Sequence, residues 1–324
     1  MKRDKPYFIL YAHNQVVQGE KRAAVYDLKQ ARVFYIPNIL VDILEDMQTQ
    51  TVAAVIDIYA ADQPQALLQY IDFLMEYDLG FYVDDPKRFP RLALQYYYPG
   101  LIQNAIVLSD LEAYDLGHAL QQLPGQGCRF ISLFIDLKEE TTFAQLSKAL
   151  SEIADSIVLS IQVYITHHSD LKETDLRTLF TTFKKVAGIH ICGAAEQVTK
   201  AGDPIIYTSK KLADFITPNG QQLILNIPFF SEAVRFNPYY YQKVVIDWQG
   251  QIKNGVQHPT SFGNITETDL GSIVQSQAFQ ALWEVNADHI TTLKNNELRY
   301  ARFIDPALAL TGEQSISIQQ VALS

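Results

Sequence analysis

The feature that most constrains the fold is an alternation in the middle of the chain. Between residues 103 and 230, six short apolar runs (NAIVLSD, RFISLFID, SIVLSIQVYIT, GIHICGA, PIIYTS and QLILNIPFF) are separated at several points by stretches with helical spacing, at 114 to 123, 142 to 154 and 174 to 187. A near-continuous apolar run of strand length suits a strand buried on both faces. Strands that alternate with helices imply a parallel sheet with crossover helices. Six such units predict an open, partial (β/α) barrel over residues 100–231, so the overall class is α/β.

Residues 1–90 have a different texture. Three β-rich runs, Tyr7 to Tyr11, Ala23 to Asp27 and Val33 to Ile36, are separated by Asn14, Gly19 and Lys29-Gln30. Three helices are expected to follow. Ile39, Leu40, Ile43, Leu44 and Met47 share one helical face, as do Val52, Val55, Ile56 and Tyr59. The third opens with Asp62 as N-cap ahead of Pro64, sets Leu67, Leu68, Ile71, Leu74 and Met75 on one side, and stops at Gly80. FYVDD closes the unit as a strand, which makes a winged-helix pattern. Beyond a Pro-punctuated connector, residues 232–324 form a third section. KVVID, Gln249-Gly250 and QIKN read as a tight hairpin, followed by amphipathic helices from Asp269 to Leu282 and near 286 to 301.

Composition narrows the function classes. A chain of 324 residues, 48% hydrophobic and 11% aromatic, supports substantial cores and two or three domains. No run approaches the ~18 apolar residues of a spanning helix, and the apolar stretch in MKRDKPYFILYAHNQ is too short for a secretion signal, so a cytoplasmic location is expected. Cys128 and Cys192 support neither a disulfide framework nor a four-thiolate site and read as small buried apolar residues. The net charge of −10 opposes nucleic-acid binding, whose affinity comes from neutralised phosphates. Over residues 1–90, nine Lys or Arg face thirteen Asp or Glu, and the third helix carries Asp72, Glu76 and Asp78 with no cation; a DNA-reading helix is not built that way.

Catalytic signatures are sparse. The seven His residues show no HxxxH or HxH spacing, and His167-His168 reads as a solvated loop after a strand. GQG at 125 to 127 lacks the Lys and Ser or Thr of a phosphate loop, and no GxSxG elbow is present. Asp84-Asp85 and Glu139-Glu140 read as loop solvation. The tyrosine runs at 96 to 98 and 239 to 241 fit either a partner-binding surface or strands with alternate faces buried. A cluster-independent enzyme would need a convergent polar pocket at the C-terminal ends of the strands.

Several motifs, in order, carry a resemblance: QGEKRAAVYDL and IPN near the N-terminus, VIDWQGQIKN, SFGNI, then NADHI ahead of ELRY. They are similar to the peptide maturases of grasp-with-spasm systems, which act in the biosynthesis of ribosomally made, post-translationally modified peptides. The resemblance covers nearly the whole chain. It implies a winged-helix leader-peptide recognition element (1–90), a radical S-adenosylmethionine-like partial barrel (100–231) and a C-terminal SPASM-like region (232–324).

Members of that family hold iron–sulfur clusters on cysteines, and this chain departs from them there. The positions where the family pattern has Cys hold Tyr239, Gly255, Leu293, Asn296, Arg302 and Asp305, and the place of the CxxxCxxC loop reads NAIVLSDLEAYDLG. Thiolates hold such clusters. The expectation is therefore a degenerate scaffold with no catalytic residues, no metal site and no cofactor of its own.

By the same resemblance, a leader peptide adds as a strand beside the third strand, in the groove between it and the third helix. That maps onto Val33, Phe34 and Tyr35 for the edge and onto Leu67, Tyr70, Ile71 and Leu74 for the helix. Leu67→Asp is then expected to abolish leader binding. Loss of every cluster ligand while the apolar patterning survives makes the expected role a non-catalytic accessory subunit that binds the precursor leader and forms a hetero-oligomer with a catalytic radical S-adenosylmethionine protein, one that still has its 4Fe–4S clusters. The alternatives are a partnership with an ATP-grasp peptide ligase, which is what the resemblance itself implies, or a cluster-independent peptide-modifying activity.

Overall fold

The computed structural model describes residues 6–137, 143–168, 171–195, 202–216, 222–304, 308–311 and 315–318. In the N-terminal unit, β1 (Tyr7–Leu10), β2 (Asn14–Gln18), β3 (Ala23–Asp27) and β4 (Arg32–Ile36) precede α1 (Ile39–Asp46), α2 (Val52–Tyr59), α3 (Pro64–Glu76) and β5 (Gly80–Val83). β2, β3 and β4 form an antiparallel sheet in that order, and β1 pairs separately with β5. Every residue of β3 is buried because it is central and covered on both faces. Ala23 and Val25 face a core shared with α1, α2 and α3, while Ala24 and Tyr26 face a second core. Asp27 closes the β3–β4 hairpin. Burial raises its pKa, but N–H groups of Gln30 and Lys29 and the Arg32 guanidinium, 2.7 Å away, outweigh that and hold the carboxyl below its usual range.

Four local expectations for this unit change. The segment with Asn14 is a strand, not a turn: Asn14 Nδ2 donates to Leu79 O at 2.6 Å, and its backbone starts β2. Asp62 does not cap α3, whose N-cap is Gln63 with no side-chain bond. The helix ends at Glu76, and Asp78, at φ 58°, turns the chain before Gly80 opens β5. Ile39 is exposed, off the core face assigned to it.

The middle of the chain contains β6 (Asn104–Ser109), α4 (Leu116–Gly125), β7 (Phe130–Ile135), α5 (Phe143–Ser151), β8 (Ser160–Thr166), α6 (Glu173–Thr182), β9 (Val186–Cys192), β10 (Ile205–Thr208), α7 (Ala213–Ile216) and α8 (Ile227–Arg235). They lead to β11 (Lys243–Ile246) and β12 (Ile252–Lys253). A seven-stranded sheet has the order β10-β9-β8-β7-β6-β11-β12, parallel except for β12. Asp115 caps α4 through Oδ1, 3.1 Å from His118 N. One sheet face, including Val107, Leu133, Val163 and Ile189, buries against Leu120 of α4, Leu146 of α5 and Leu176 of α6.

Two expectations about the sheet are corrected. Its strands are not buried alike on both faces: in β8, Ile161, Val163 and Ile165 are buried, whereas Gln162, Tyr164 and Thr166 are half-buried. The sixth apolar run is not a strand. Asn226 Oδ1 accepts from Phe229 N at 2.9 Å, Pro228 sits in the first turn, and Ile227–Arg235 is helical. The strand that completes the parallel set is β11, hydrogen-bonded to the far edge of β6.

The C-terminal section adds α9 (Leu270–Val274), α10 (Gln277–Gln280), and the paired β13 (Leu308–Thr311) and β14 (Ser315–Ile318). The expected hairpin is present as β11–β12, with Gly250 at φ 76° in the turn. The helix expected from Asp269 to Leu282 is broken in two, because Ser276 Oγ caps a new start at Phe279 N. The helix expected near 286 to 301 reduces to one 3₁₀ turn at Ala287–His289. Its helices α9 and α10 pack on the helical side of the sheet, where Leu270, Ile273 and Phe279 join the core of α4. Glu139-Glu140 lie outside the described residues.

Candidate functional site

β4 is an edge strand. It pairs with β3 on one side, and among the described residues no strand pairs with its other edge. Alternation sends Phe34 toward α3 and Val33 toward the second core. Phe34 meets Phe73 at 6.3 Å and Tyr77 at 5.0 Å between ring centroids, and Phe73 meets Tyr77 at 4.9 Å. Arg32 ties the start of the strand to the end of α3 by donating to Tyr77 O at 3.1 Å. On the other face, Tyr35 lies under the Arg22 guanidinium, 3.5 Å from the ring centroid.

The predicted residues therefore divide. Tyr35 and Tyr70 are 43% and 37% exposed, whereas Leu67, Ile71 and Leu74 are 4%, 1% and 1% exposed and belong to the core beneath α3. Leu67→Asp would bury a carboxylate, so loss of binding in that variant would report on folding. Sequence reasoning passed over Phe73 and Tyr77. The signal was the Tyr70, Phe73, Tyr77 spacing, which forms a stripe beside that of Leu67, Ile71 and Leu74. Edge and stripe together make an aromatic shelf along a row of strand N–H and C=O groups, a geometry that can accept an extended chain as an added strand.

The large parallel sheet carries different chemistry. After β6, Ser109 Oγ accepts from Leu111 N at 3.0 Å, Asp110 Oδ1 accepts from Glu112 N and Ala113 N, and Tyr114 donates to Leu108 O at 2.7 Å. The turn is thus closed by its own side chains. Cys128 lies just ahead of β7 and Cys192 ends β9, at opposite ends of the sheet. Burial pushes their thiols up to about 12 and about 11, away from the thiolate a metal requires. Among the described residues no group of three or more His, Cys, Asp or Glu could hold a metal ion.

The positions matched to cluster cysteines do not suit that ligand either. The Tyr239 ring packs so closely on Gly255 that a Cβ there would come 2.6 Å from Tyr239 Cε1 and 3.0 Å from Tyr240 Cε1. Asn296 Oδ1 accepts from Leu298 N at 2.7 Å, Leu293 is half-buried against the core, and Asp305 is outside the described residues. With aromatic, aliphatic, amide and guanidinium groups there, the residues present do not fit an iron–sulfur cluster. Gly255→Ala is expected to cost about 1–2 kcal/mol by overpacking. Urea denaturation of a double-mutant cycle with Tyr239→Ala should show strong coupling; simple additivity would mean that the two positions do not share this space.

The tyrosine runs form neither strands nor one continuous surface. Tyr239 and Tyr240 are buried, Tyr97 is 83% exposed, and Tyr96 and Tyr98 turn inward to Gln103 Oε1 and Gly127 O. Beside them is an ion pair between buried Glu232 of α8 and half-buried Lys243 of β11, at 3.8 Å. Burial pushes the Glu232 carboxyl up to about 7 against the opposing pull of Lys243, and burial lowers the Lys243 pKa.

Comparison with known proteins gives little further. No protein-family model matches the chain, and no curated protein matches it. Among solved structures, Streptococcus suis SuiB bound to S-adenosylmethionine aligns over 85% of this chain and 89% of its own, at 8% identity and a TM-score of 0.26. SuiB alone aligns over 84% and 89%, and SuiB bound to the precursor peptide SuiA over 85% and 90%, each at 8% identity and a TM-score of 0.24. Values this low do not define a shared fold, so a functional assignment has to come from the chain's own residues. Among the described residues, no helix is long and apolar enough to cross a membrane.

Proposed function

We propose that this chain binds the leader segment of a ribosomally made precursor peptide as an added strand along β4, and acts as a non-catalytic accessory subunit in maturation of that peptide. The observation that carries the reading is the open edge of β4, whose Phe34 packs on Phe73 and Tyr77, with the exposed Tyr70 on the same stripe of α3. Main-chain bonds along such an edge supply affinity, and alternate side chains reading the aromatic shelf supply selectivity. The ordered sequence motifs support the same assignment. Absence of thiols at the matched ligand positions supports a catalytic partner that carries the clusters and S-adenosylmethionine, paired with this chain as a hetero-oligomer.

The chain should be co-expressed with its genomic neighbours and purified anaerobically by its own tag. Co-elution of an iron-bearing protein in stoichiometric amount is expected. An isolated chain, iron retained by this chain alone, or an ATP-grasp ligase as sole partner would each overturn the assigned partnership. Separately, a fluorescein-labelled synthetic leader from the neighbouring precursor gene should bind the wild type. Tyr70→Ala/Tyr77→Ala should weaken its Kd at least about tenfold with little change in Tm, because both rings are partly exposed. Unchanged affinity would exclude the β4 shelf.

A further inference from the structure

Strand register fixes which main-chain groups of β4 point outward. Gly19 N donates to Arg22 O and Leu28 N to His13 O, so Ala24 and Tyr26 of β3 turn their N–H and C=O groups toward β2. Those of Ala23, Val25 and Asp27 then face β4 and meet Ile36, Phe34 and Arg32. Alternation leaves the N–H and C=O of Val33 and Tyr35 aimed at the open edge, where no strand pairs with them among the described residues. A chain that adds there bonds to Val33 and Tyr35. Whichever way it runs, every second side chain lies on the α3 side with Phe34.

Charge says what kind of chain that is. Residues 33–86 hold ten Asp or Glu and no Lys, Arg or His. All but Asp46 are exposed, and Asp46 is half-buried. The cations that flank the edge, Arg32 at the start of β4 and Arg22 over Tyr35, are paired with Asp27 and Glu297, each at 2.7 Å. On α3, exposed Glu76 lies one turn beyond Phe73, on the side of the aromatic stripe away from Leu67 and Leu74. An open edge also invites a second copy of the same chain. Two copies would bring two acidic faces together, which like charge opposes, and the same field repels nucleic acid and acidic peptides.

We propose that the occupant of the β4 edge is a basic segment. On its α3 side it sets an apolar residue over Phe34 and, two residues away, a Lys or Arg that reaches Glu76. This rests on the leader reading above and adds the charge of the part of the leader that docks.

Three fluorescein-labelled heptapeptides, acetyl-TKTFTKT-amide, acetyl-TQTFTQT-amide and acetyl-TETFTET-amide, differ only in the charge beside one Phe. Titrated against the intact chain by fluorescence anisotropy, the lysine peptide should bind saturably, at least about tenfold more tightly than the glutamate peptide, with the glutamine peptide between them. Its Kd should weaken at least about fivefold from about 50 mM to about 500 mM NaCl, because the charges are exposed and salt screens them. Glu76→Lys, at an exposed position that does not threaten folding, should reduce the lysine-to-glutamate ratio at least about threefold. Tyr70→Ala/Tyr77→Ala should weaken the lysine peptide at least about fivefold, which places it on the shelf. Failure of the labelled leader to bind while the lysine peptide does would sink the leader reading and leave a basic-peptide site. A leader that binds while the three peptides bind alike would sink only the charge. Lysine-peptide binding undiminished in both Glu76→Lys and Tyr70→Ala/Tyr77→Ala would mean that acidic surface elsewhere captures it, and would overturn the proposal. So would self-association of the chain alone, seen by sedimentation and abolished in Tyr70→Ala/Tyr77→Ala, since the occupant would then be a second copy.

Discussion

Tyr26→Ala is expected to destabilise the protein by about 3–5 kcal/mol and to separate the unfolding of the N-terminal unit from that of the large sheet. Tyr26 is fully buried, and its ring meets Phe230 edge-on at 5.3 Å. It lies in the cluster where Val17 and Ala24 of the N-terminal sheet pack against Phe229, Phe230 and Ala233 of α8 and against Leu298, Tyr300 and Ala301. Its hydroxyl donates to Glu297 O at 2.7 Å. One ring thus joins the N-terminal unit, α8 and the C-terminal section, and truncation leaves a cavity that those parts cannot all collapse to fill. Tyr26→Phe keeps the ring and removes only the hydroxyl, so its cost should be about 1–2 kcal/mol. Urea unfolding followed by tryptophan fluorescence and far-UV circular dichroism is the measurement. Non-coincident transitions are expected for Tyr26→Ala, and a single transition at the wild-type midpoint would refute a structural role for this contact.

The second large effect is a pH dependence centred on Glu232. Burial raises its folded pKa from about 4.5 to about 7, with the attraction of Lys243 only partly offsetting it. The folded state therefore holds this proton where the unfolded chain has released it. Its contribution is fully present below the unfolded value near 4.5 and is lost as pH rises to about 7 and beyond. The full span corresponds to about 3 kcal/mol at ~1.4 kcal/mol per pKa unit.

Other groups titrate nearby. Lys243 faces Glu232 directly, and the phenols of Tyr96 and Tyr241, raised first by burial, feel its charge. His190 and His258, lowered by burial, contribute in the opposite sense over the same window, since their neutral folded forms favour stability as pH rises. The informative quantity is the stability of Glu232→Gln minus that of wild type, because Gln imitates the neutral acid. That difference should grow in favour of Gln between pH 4.5 and 8. A difference independent of pH would show that the carboxyl titrates normally.

Local pattern carried most of the elements. The helical spacing over 114 to 123 announced α4, the spacing of Leu67, Ile71 and Leu74 announced the inner face of α3, and Gly250 announced the β11–β12 turn. The failures share a cause. NQVVQ was read as a turn because Asn14 favours turns, yet its side chain reaches Leu79, 65 residues on, a partner no local window contains. QLILNIPFF was read as a strand because a short apolar run fits either state; Asn226 and Pro228 start a helix whose apolar side is buried with Tyr26 and Tyr300.

The candidate sites divide in the same way. Val33, Phe34 and Tyr35 were legible as a strand from their own side chains, and Tyr70, Phe73 and Tyr77 as a stripe from their spacing. That β4 lies at an edge, with Phe34 between Phe73 and Tyr77, was a result of strand order. A cavity at the N-terminal ends of β6, β7 and β8 was invisible in the chain, since Phe130, Gln162, Asn254 and Phe303 meet only after β11 docks beside β6. The sequence by itself determined the α/β class, the inward stripe of each helix and the absence of thiols at the matched ligand positions, because these depend on residue type and short-range period. The tertiary structure alone decided strand order, the open edge and the pocket, because each is a long-range pairing whose energy comes from residues far apart in the chain.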